Sequence, residues 1–344
     1  MKIPTAPTTL SDLIAECTTY LTQEHDQSTA EQYAWWLLEA LTKQSRAVLI
    51  AQQKITLDKH QTEILSEWLD DIVVQHKPLA YVLGNTPFRE LNIFVQPPTL
   101  VPRPETEEWV STLIERYKPL AYEPLRILDL CTGTGCIALS LAHAFPQSSV
   151  VGVDIADHAL ALAHKNAQHN MIKNVTFIHS DLFSGLPPTT RFDLIVANPP
   201  YIAHEEQEEL PLSVKQWEDP CALFADDKGL ALIAAIIEQA PHWLSSNPII
   251  EQHNLPNLAI EIGHTQGAAV VELFNKQNLA TPNKHSVVQT TSATQNKHSM
   301  VQATSSTQNS TQPEAINVEC LRDYAGKDRV VIGSMKHVVS PHAE

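Results

Sequence analysis

The strongest constraint on this chain is an alternation that begins at Arg126. Short apolar segments at Ile127 to Leu130, Val150 to Ile155, Val175 to His179, Leu194 to Ala197 and Leu258 to Ile262 are separated by stretches of helical spacing, such as Ile137 to Ala144 and Ala159 to Asn170. Continuous apolar strands separated by helices predict a parallel sheet buried on both faces, an α/β doubly wound, Rossmann-like fold. Connections in such a sheet are right-handed, and ligands bind beyond the carboxyl ends of the strands where the strand order reverses. The residues that follow these strands are therefore the candidates for a site.

The first strand runs into Asp129-Leu130-Cys131-Thr132-Gly133-Thr134-Gly135 and then into a helix. Gly133 and Gly135 allow close backbone approach, and the free N–H groups of a helix start favour an anion, such as the carboxylate of a bound cofactor. The G-x-G spacing lacks the third glycine of the dinucleotide fingerprint. Asp154 ends the next strand, where a carboxylate can take both hydroxyls of a ribose. After the third strand, Asp181 is placed to accept from an adenine amino group, with Leu182 against the ring; the plainer reading of Asp181 is a helix N-cap.

The fourth strand, within Phe192 to Tyr201, ends in Asn198-Pro199-Pro200-Tyr201. The Asn198 side-chain oxygen and the Pro199 carbonyl can each accept one N–H of a planar NH2 group. Pro199 and Pro200 stiffen the turn, and Tyr201 can stack on the flat face of the group. An amide or aromatic amine nitrogen has a delocalised lone pair, so positioning must do most of the catalysis. With the glycine loop upstream, the tetrapeptide points to methylation of a planar nitrogen by S-adenosylmethionine. Alone it reads equally well as a turn, because Asn-Pro is a common turn starter.

At 344 residues two domains are expected. Residues 1–76 read as a helical, substrate-docking domain, with Ser11 and Ser28 as N-caps and Glu31 completing a capping box after Ser28. Trp35 and Trp36 read as core and domain contact, or as a surface for a macromolecule. Residues 77–104 read as a β-hairpin linker, YVLGNTPF and LNIFV, with a turn at Gly84-Asn85 and a bend near Arg89-Glu90. The following Arg103-Pro104-Glu105-Thr106-Glu107 reads either as plain helix initiation or as part of the site. Residues 105–338 read as a methyltransferase domain, closed by the strand pair INVECL and DRVVIG.

A tandem repeat, NKHSVVQTTSATQ followed by NKHSMVQATSSTQ, lies within residues 281–314. That polar stretch has too few large apolar residues to offset its ordering entropy and reads as a disordered insertion. His285 and His298 are too sparse for a metal site.

The net charge of -16 argues against broad contact with nucleic acid phosphates and favours a protein substrate. Cys17, Cys131, Cys136, Cys221 and Cys320 are scattered without zinc-ligand spacing, and read as reduced. No long apolar run or signal pattern occurs near the start, so a cytoplasmic protein is expected.

The chain resembles the bacterial release-factor glutamine N5-methyltransferase family, known as PrmC or HemK. The resemblance rests on KPLAYVLGNTPF, VPRPETEEWV, ILDLCTGTGCIALSLA, SDLF, FDLIVANPPYI, AIEIGHTQG and DYAGKDRVVIG, and covers nearly everything except the repeats. It implies methylation of the glutamine in the Gly-Gly-Gln loop of class I peptide chain release factors. It also implies that Cys131, Thr132, Gly133, Thr134, Gly135, Asp154, Leu182 and Asn198 contact the cofactor, and that Asn198, Pro199, Pro200 and Tyr201 hold the glutamine, with no metal. The helical domain and hairpin are expected to grip the release factor, and the enzyme to act as a monomer.

There are departures from the family's pattern. Where the family commonly has a Gly-Gly pair and an acid before Gly-Leu, this chain has Phe224-Ala225-Asp226-Asp227-Lys228-Gly229-Leu230, and Leu182 stands where some relatives have tryptophan. Adenine N6-methyltransferases share the tetrapeptide, but the acidic chain shows neither a basic groove nor a target-recognition domain. A third reading is a binding module that keeps the cofactor fold without activity.

Overall fold

The computed structural model describes residues 8–280 and 318–336. Helices α1 (Leu10–Leu21), α2 (Gln27–Thr42), α3 (Arg46–Gln52) and α4 (Lys59–Val73) enclose a core that includes Leu13, Cys17, Leu37, Leu38 and Leu65. A two-residue strand pair, β1 (Thr8–Thr9) and β2 (Lys54–Ile55), ties the start of α1 to the end of α3. The caps differ from those expected. Thr9 accepts from the Asp12 N–H, and Asp26 accepts from the N–H groups of Ser28 and Thr29, so Ser11 and Ser28 lie inside the helices. A carboxylate that takes two N–H groups suits the positive helix end better than a serine hydroxyl. The capping box is formed at Asp58 and Gln61.

The linker also departs from the simple hairpin. Leu79–Leu83 is a short helix, α5, and Gly84 ends it in a left-handed conformation (φ 75°), donating its N–H to the Ala80 carbonyl. A left-handed glycine is a helix stop, which is why YVLG is helical rather than a strand. The hairpin consists of β3 (Asn85–Phe88) and β4 (Leu91–Phe94), turning at Arg89-Glu90 with Arg89 at φ 54°.

The seven-stranded sheet contains β5 (Arg126–Leu130), β6 (Ser149–Asp154), β7 (Val175–His179), β8 (Leu194–Ala197), β9 (Leu258–Glu261), β10 (Val318–Arg322) and β11 (Asp328–Gly333). Its order is β10-β11-β9-β8-β5-β6-β7, with β5 to β9 parallel and β10 and β11 antiparallel. Helices α6 (Pro104–Tyr117), α7 (Cys136–Ala144) and α8 (Asp157–His169) cover one face, and the helices Ala231–Trp243 and Gly267–Ala280 cover the other. The chain steps outward from β5 to β7 and returns to β8 on the far side of β5. The strand order therefore reverses between β5 and β8. Leu130 pairs with Ala197, so the glycine loop and Asn198 leave the sheet side by side. The repeat expectation falls outside the described residues; the chain re-enters them at the edge strand β10.

Candidate active site

Cys131, Gly133 and Gly135 adopt left-handed conformations (φ 58°, 55° and 81°). This turns the backbone back on itself between β5 and α7. The Thr132 N–H donates to the Val153 carbonyl at 2.9 Å, and the Gly133 N–H donates to Asp154 Oδ2 at 2.8 Å. Asp154 Oδ1 accepts from the Ala156 N–H at 2.9 Å, so this carboxylate braces the loop. Thr132 and Thr134 are buried, leaving the loop to present mainly backbone.

The Thr132 hydroxyl donates to Asp129 Oδ2 at 2.6 Å, and the Ala138 N–H donates to the same oxygen at 3.1 Å. The start of α7, where an external carboxylate was expected, is thus already occupied by one of the chain's own. Asp129 Oδ1 is buried and has no hydrogen-bond partner among the described residues. Burial pushes this acid up to about 7. A buried acceptor left open beside a glycine loop is complementary to a cation. Burial pushes the Cys136 thiol up to about 12 and raises that of Cys131, so both remain protonated.

Asp181 is exposed, and its side chain makes no hydrogen bond among the described residues, so the side-chain N-cap is not formed. Leu182 is half-buried at φ 47°, fixed by the Ser180 hydroxyl donating to its carbonyl at 2.6 Å. Beside Asp154, Ile155 is 58% exposed. It reads as a strand residue in sequence, but stands beyond the strand end as an apolar surface suited to a purine ring.

On the other side of the reversal, Pro199 and Pro200 are buried and Asn198 and Tyr201 half-buried. Asn198 Nδ2 donates to Thr106 Oγ1 at 3.5 Å. The Thr106 hydroxyl and the Trp109 indole N–H each donate to Glu261 Oε2 at 2.7 Å, and the Tyr201 hydroxyl donates to Glu261 Oε1 at 3.3 Å. Burial raises the Glu261 carboxyl, opposed by these hydrogen bonds and by the Arg329 charge. Burial also raises the Tyr201 phenol, which stays a donor.

The helix-initiation reading of the segment before the sheet holds, and the same helix also contacts the tetrapeptide. Pro104 opens α6 with Glu105 and Glu107 in its first turn; Thr106 of that helix contacts Asn198 directly, and Thr106 and Trp109 share Glu261 with Tyr201. Arg103 donates through Nη2 to both oxygens of buried Glu218 at 2.6 Å. Sequence reasoning missed Thr106, Trp109 and Glu261 as a group. The available signal was Glu261 itself, an acid ending the apolar strand LAIE, since fully buried acids are almost always paired.

The segment from Leu223 to Gly229 packs on the same turn. The N–H groups of Ile202 and Ala225 donate to the Leu223 and Ile202 carbonyls, both at 3.0 Å. Asp227, Lys228 and Gly229 are consecutive left-handed residues (φ 53°, 56° and 81°), so this conformation is present without the family's two glycines. A Cβ on Gly229 would lie 2.0 Å from the Tyr201 carbonyl oxygen.

A cleft of about 1060 Å³ opens between the helical domain, the hairpin and the methyltransferase domain. Its walls include Tyr33, Trp36, Thr86, Arg103, Glu107 and Leu212, but no residue of the tetrapeptide or glycine loop. Trp36 is 44% exposed and stacks on Tyr33, whereas Trp35 is buried in the helical core. Among the described residues, no helix is long and apolar enough to cross a membrane.

A sheet of this order, with a glycine loop and Asn-Pro-Pro-Tyr emerging together at its switch point, defines a Rossmann-like S-adenosylmethionine-dependent methyltransferase. Sequence comparison narrows the class. The family described as methyltransferase small domain matches residues 111–213, and the PrmC N-terminal domain matches residues 12–84. A release factor glutamine methyltransferase of Flavobacterium psychrophilum is 37% identical over 74% of this chain and 86% of its own length. The proteins of the same name from Lactococcus lactis and Escherichia coli K12 are 38% and 39% identical, over 72% and 69% of this chain and 84% and 81% of theirs. The chain belongs to the release factor glutamine methyltransferase family.

Proposed function

We propose that this enzyme transfers the methyl group of S-adenosylmethionine to the side-chain amide nitrogen, N5, of the glutamine in the Gly-Gly-Gln motif of class I peptide chain release factors. Family membership supports the substrate. The observation that carries the chemistry is the braced Asn198-Pro199-Pro200-Tyr201 turn beside the glycine loop, held at both ends through Glu261. When bound, S-adenosylmethionine supplies an electrophilic methyl group on a sulfonium sulfur.

The residues of the chain supply binding and orientation. The backbone of Cys131 to Gly135, the carboxylates Asp154 and Asp181, and the side chains of Leu182 and Ile155 would hold the cofactor, with the open oxygen of Asp129 suited to its ammonium group. Asn198 Oδ1 and the Pro199 carbonyl would accept the two N–H bonds of the glutamine amide, directing its nitrogen lone pair at the methyl carbon. Tyr201 would pack on the amide plane. In that geometry the amide nitrogen would take the methyl group in place of the sulfonium sulfur, and its surplus proton would pass to solvent. The cleft beside Trp36 and the hairpin would receive the body of the release factor. The acidic charge of -16 favours a protein over nucleic acid, and we take the enzyme to act as a cytoplasmic monomer.

The test is to incubate the enzyme with labelled S-adenosylmethionine and a purified release factor, beside a release factor whose Gly-Gly-Gln glutamine is substituted, and to locate the methyl by mass spectrometry. A methyl on that glutamine alone is expected. Label appearing instead on DNA, or on neither substrate, would refute the proposal.

A further inference from the structure

We propose that Glu261 and Thr106 are positioning residues that set the direction of the Asn198 amide, turning its Oδ1 rather than its Nδ2 toward the acceptor. This rests on the reading that Asn198 receives the acceptor NH2 group.

The direction follows from counting protons along the chain of hydrogen bonds. An indole N–H can only donate, so Trp109 makes Glu261 Oε2 an acceptor, at 2.7 Å. The Thr106 hydroxyl, also 2.7 Å from that oxygen, spends its single proton there. Only lone pairs of Thr106 Oγ1 then face Asn198. An amide NH2 can pair with those lone pairs, whereas an amide oxygen is repelled by them. The contact of 3.5 Å is long for a hydrogen bond, so repulsion of the flipped amide contributes more than attraction of the observed one.

Glu261 and Thr106 are both 1% exposed, so water is excluded from the junction that sets this polarity. The other carboxylate oxygen receives the Tyr201 hydroxyl at 3.3 Å, so one acid orients both ends of the tetrapeptide. With Nδ2 engaged inward, Asn198 offers the acceptor a lone-pair oxygen, which accepts from an NH2 group and rejects a carbonyl. The buried acid, which touches no substrate, thereby sets which side of a glutamine amide the site accepts.

Thr106→Val removes the hydroxyl and keeps the shape; Thr106→Ser restores it. For Thr106→Val, kcat on release factor is expected to fall about 10- to 100-fold, as for a misoriented acceptor, with KM and S-adenosylhomocysteine affinity changed less than about threefold. Thr106→Ser is expected within about threefold of the parent. Adding Thr106→Val to Asn198→Ala is expected to change the residual rate less than about twofold, because the two act as one unit. Glu261→Gln, with cofactor affinity measured calorimetrically as evidence of folding, is expected to lower kcat in the same way. Parental kcat in Thr106→Val while Asn198→Ala retains only a small residual rate would overturn this inference and leave the role of Asn198 standing. An active Asn198→Ala would overturn both.

Discussion

The Asn166 side chain on α8 pairs with both backbone groups of Phe94 in the hairpin: Oδ1 accepts from the Phe94 N–H at 2.8 Å, and Nδ2 donates to its carbonyl at 3.0 Å. Asn170 does the same for Asn92 at 3.1 and 3.0 Å. Four residues along a helix advance about 6 Å and two along a strand about 6.6 Å, so one helix edge can serve alternate strand residues. Asn166 Nδ2 also donates to the Thr134 carbonyl at 2.9 Å, linking the hairpin to the glycine loop.

Asn166→Leu is therefore expected to cost about 2–4 kcal/mol, because it removes the partner of the half-buried backbone groups of Phe94 and of the buried Thr134 carbonyl. It is also expected to weaken cofactor binding. Urea unfolding and S-adenosylhomocysteine titration check both effects; an unchanged unfolding midpoint would remove the tether from the argument.

Asp129 carries a pH signature. Burial pushes its carboxyl up to about 7, against about 3.9 in an unfolded chain. Between those values the folded protein binds more protons than the unfolded one, so this group's contribution is full below about pH 4 and is lost as pH rises through about 7. Asp129→Asn is expected to stabilise the ligand-free enzyme relative to the parent more at pH 8 than at pH 5.5, by on the order of a few kcal/mol. The same change is expected to weaken cofactor binding at least about tenfold, the equivalent of about 1.4 kcal/mol. Thermal unfolding at the two pH values checks the sign, and a pH-independent difference would contradict it.

Lys228 occupies left-handed space that costs a non-glycine residue about 1–2 kcal/mol. Glycine recovers that cost but loses about 0.5–1 kcal/mol through backbone entropy. Lys228→Gly is expected to stabilise the protein by about 0.5–1 kcal/mol, with methylation unchanged. A lowered melting temperature would show that the Lys228 side chain contributes more than its backbone strain costs.

At the neighbouring position the expected effect has the opposite sign. In Gly229→Ala the new Cβ would overlap the Tyr201 carbonyl, and Gln266 Nε2, which donates to that carbonyl at 2.9 Å, blocks an easy shift. A loss of about 2 kcal/mol or more and a fall in kcat are expected. Denaturant unfolding together with initial rates would check it.

Trp36→Ala tests the cleft. It is expected to raise KM for release factor about tenfold or more, with cofactor affinity and kcat unchanged, as for a large aromatic anchor in a protein interface. An unaltered KM would show that this wall does not contact the partner.

The sheet was legible because parallel strands are buried on both faces and read as unbroken apolar runs, as Leu194 to Ala197 does. The glycine loop and Asn198 to Tyr201 were legible because each must directly follow a strand. Local detail was less so. The helix at Leu79–Leu83 and the caps at Thr9 and Asp26 turned on small differences between neighbouring polar and glycine residues.

Sequence by itself determined the class of fold, the strand ends that carry polar chemistry and the resemblance to one family, because strand burial and turn chemistry are local properties of the chain. Tertiary structure decided which distant groups act together. Thr106 and Glu261 are 155 residues apart, and Asn166 lies 72 residues from Phe94. Their hydrogen bonds have no periodicity or spacing to betray them; only the closing of β9 against β8 and the packing of α6 and α8 over the sheet bring them within reach.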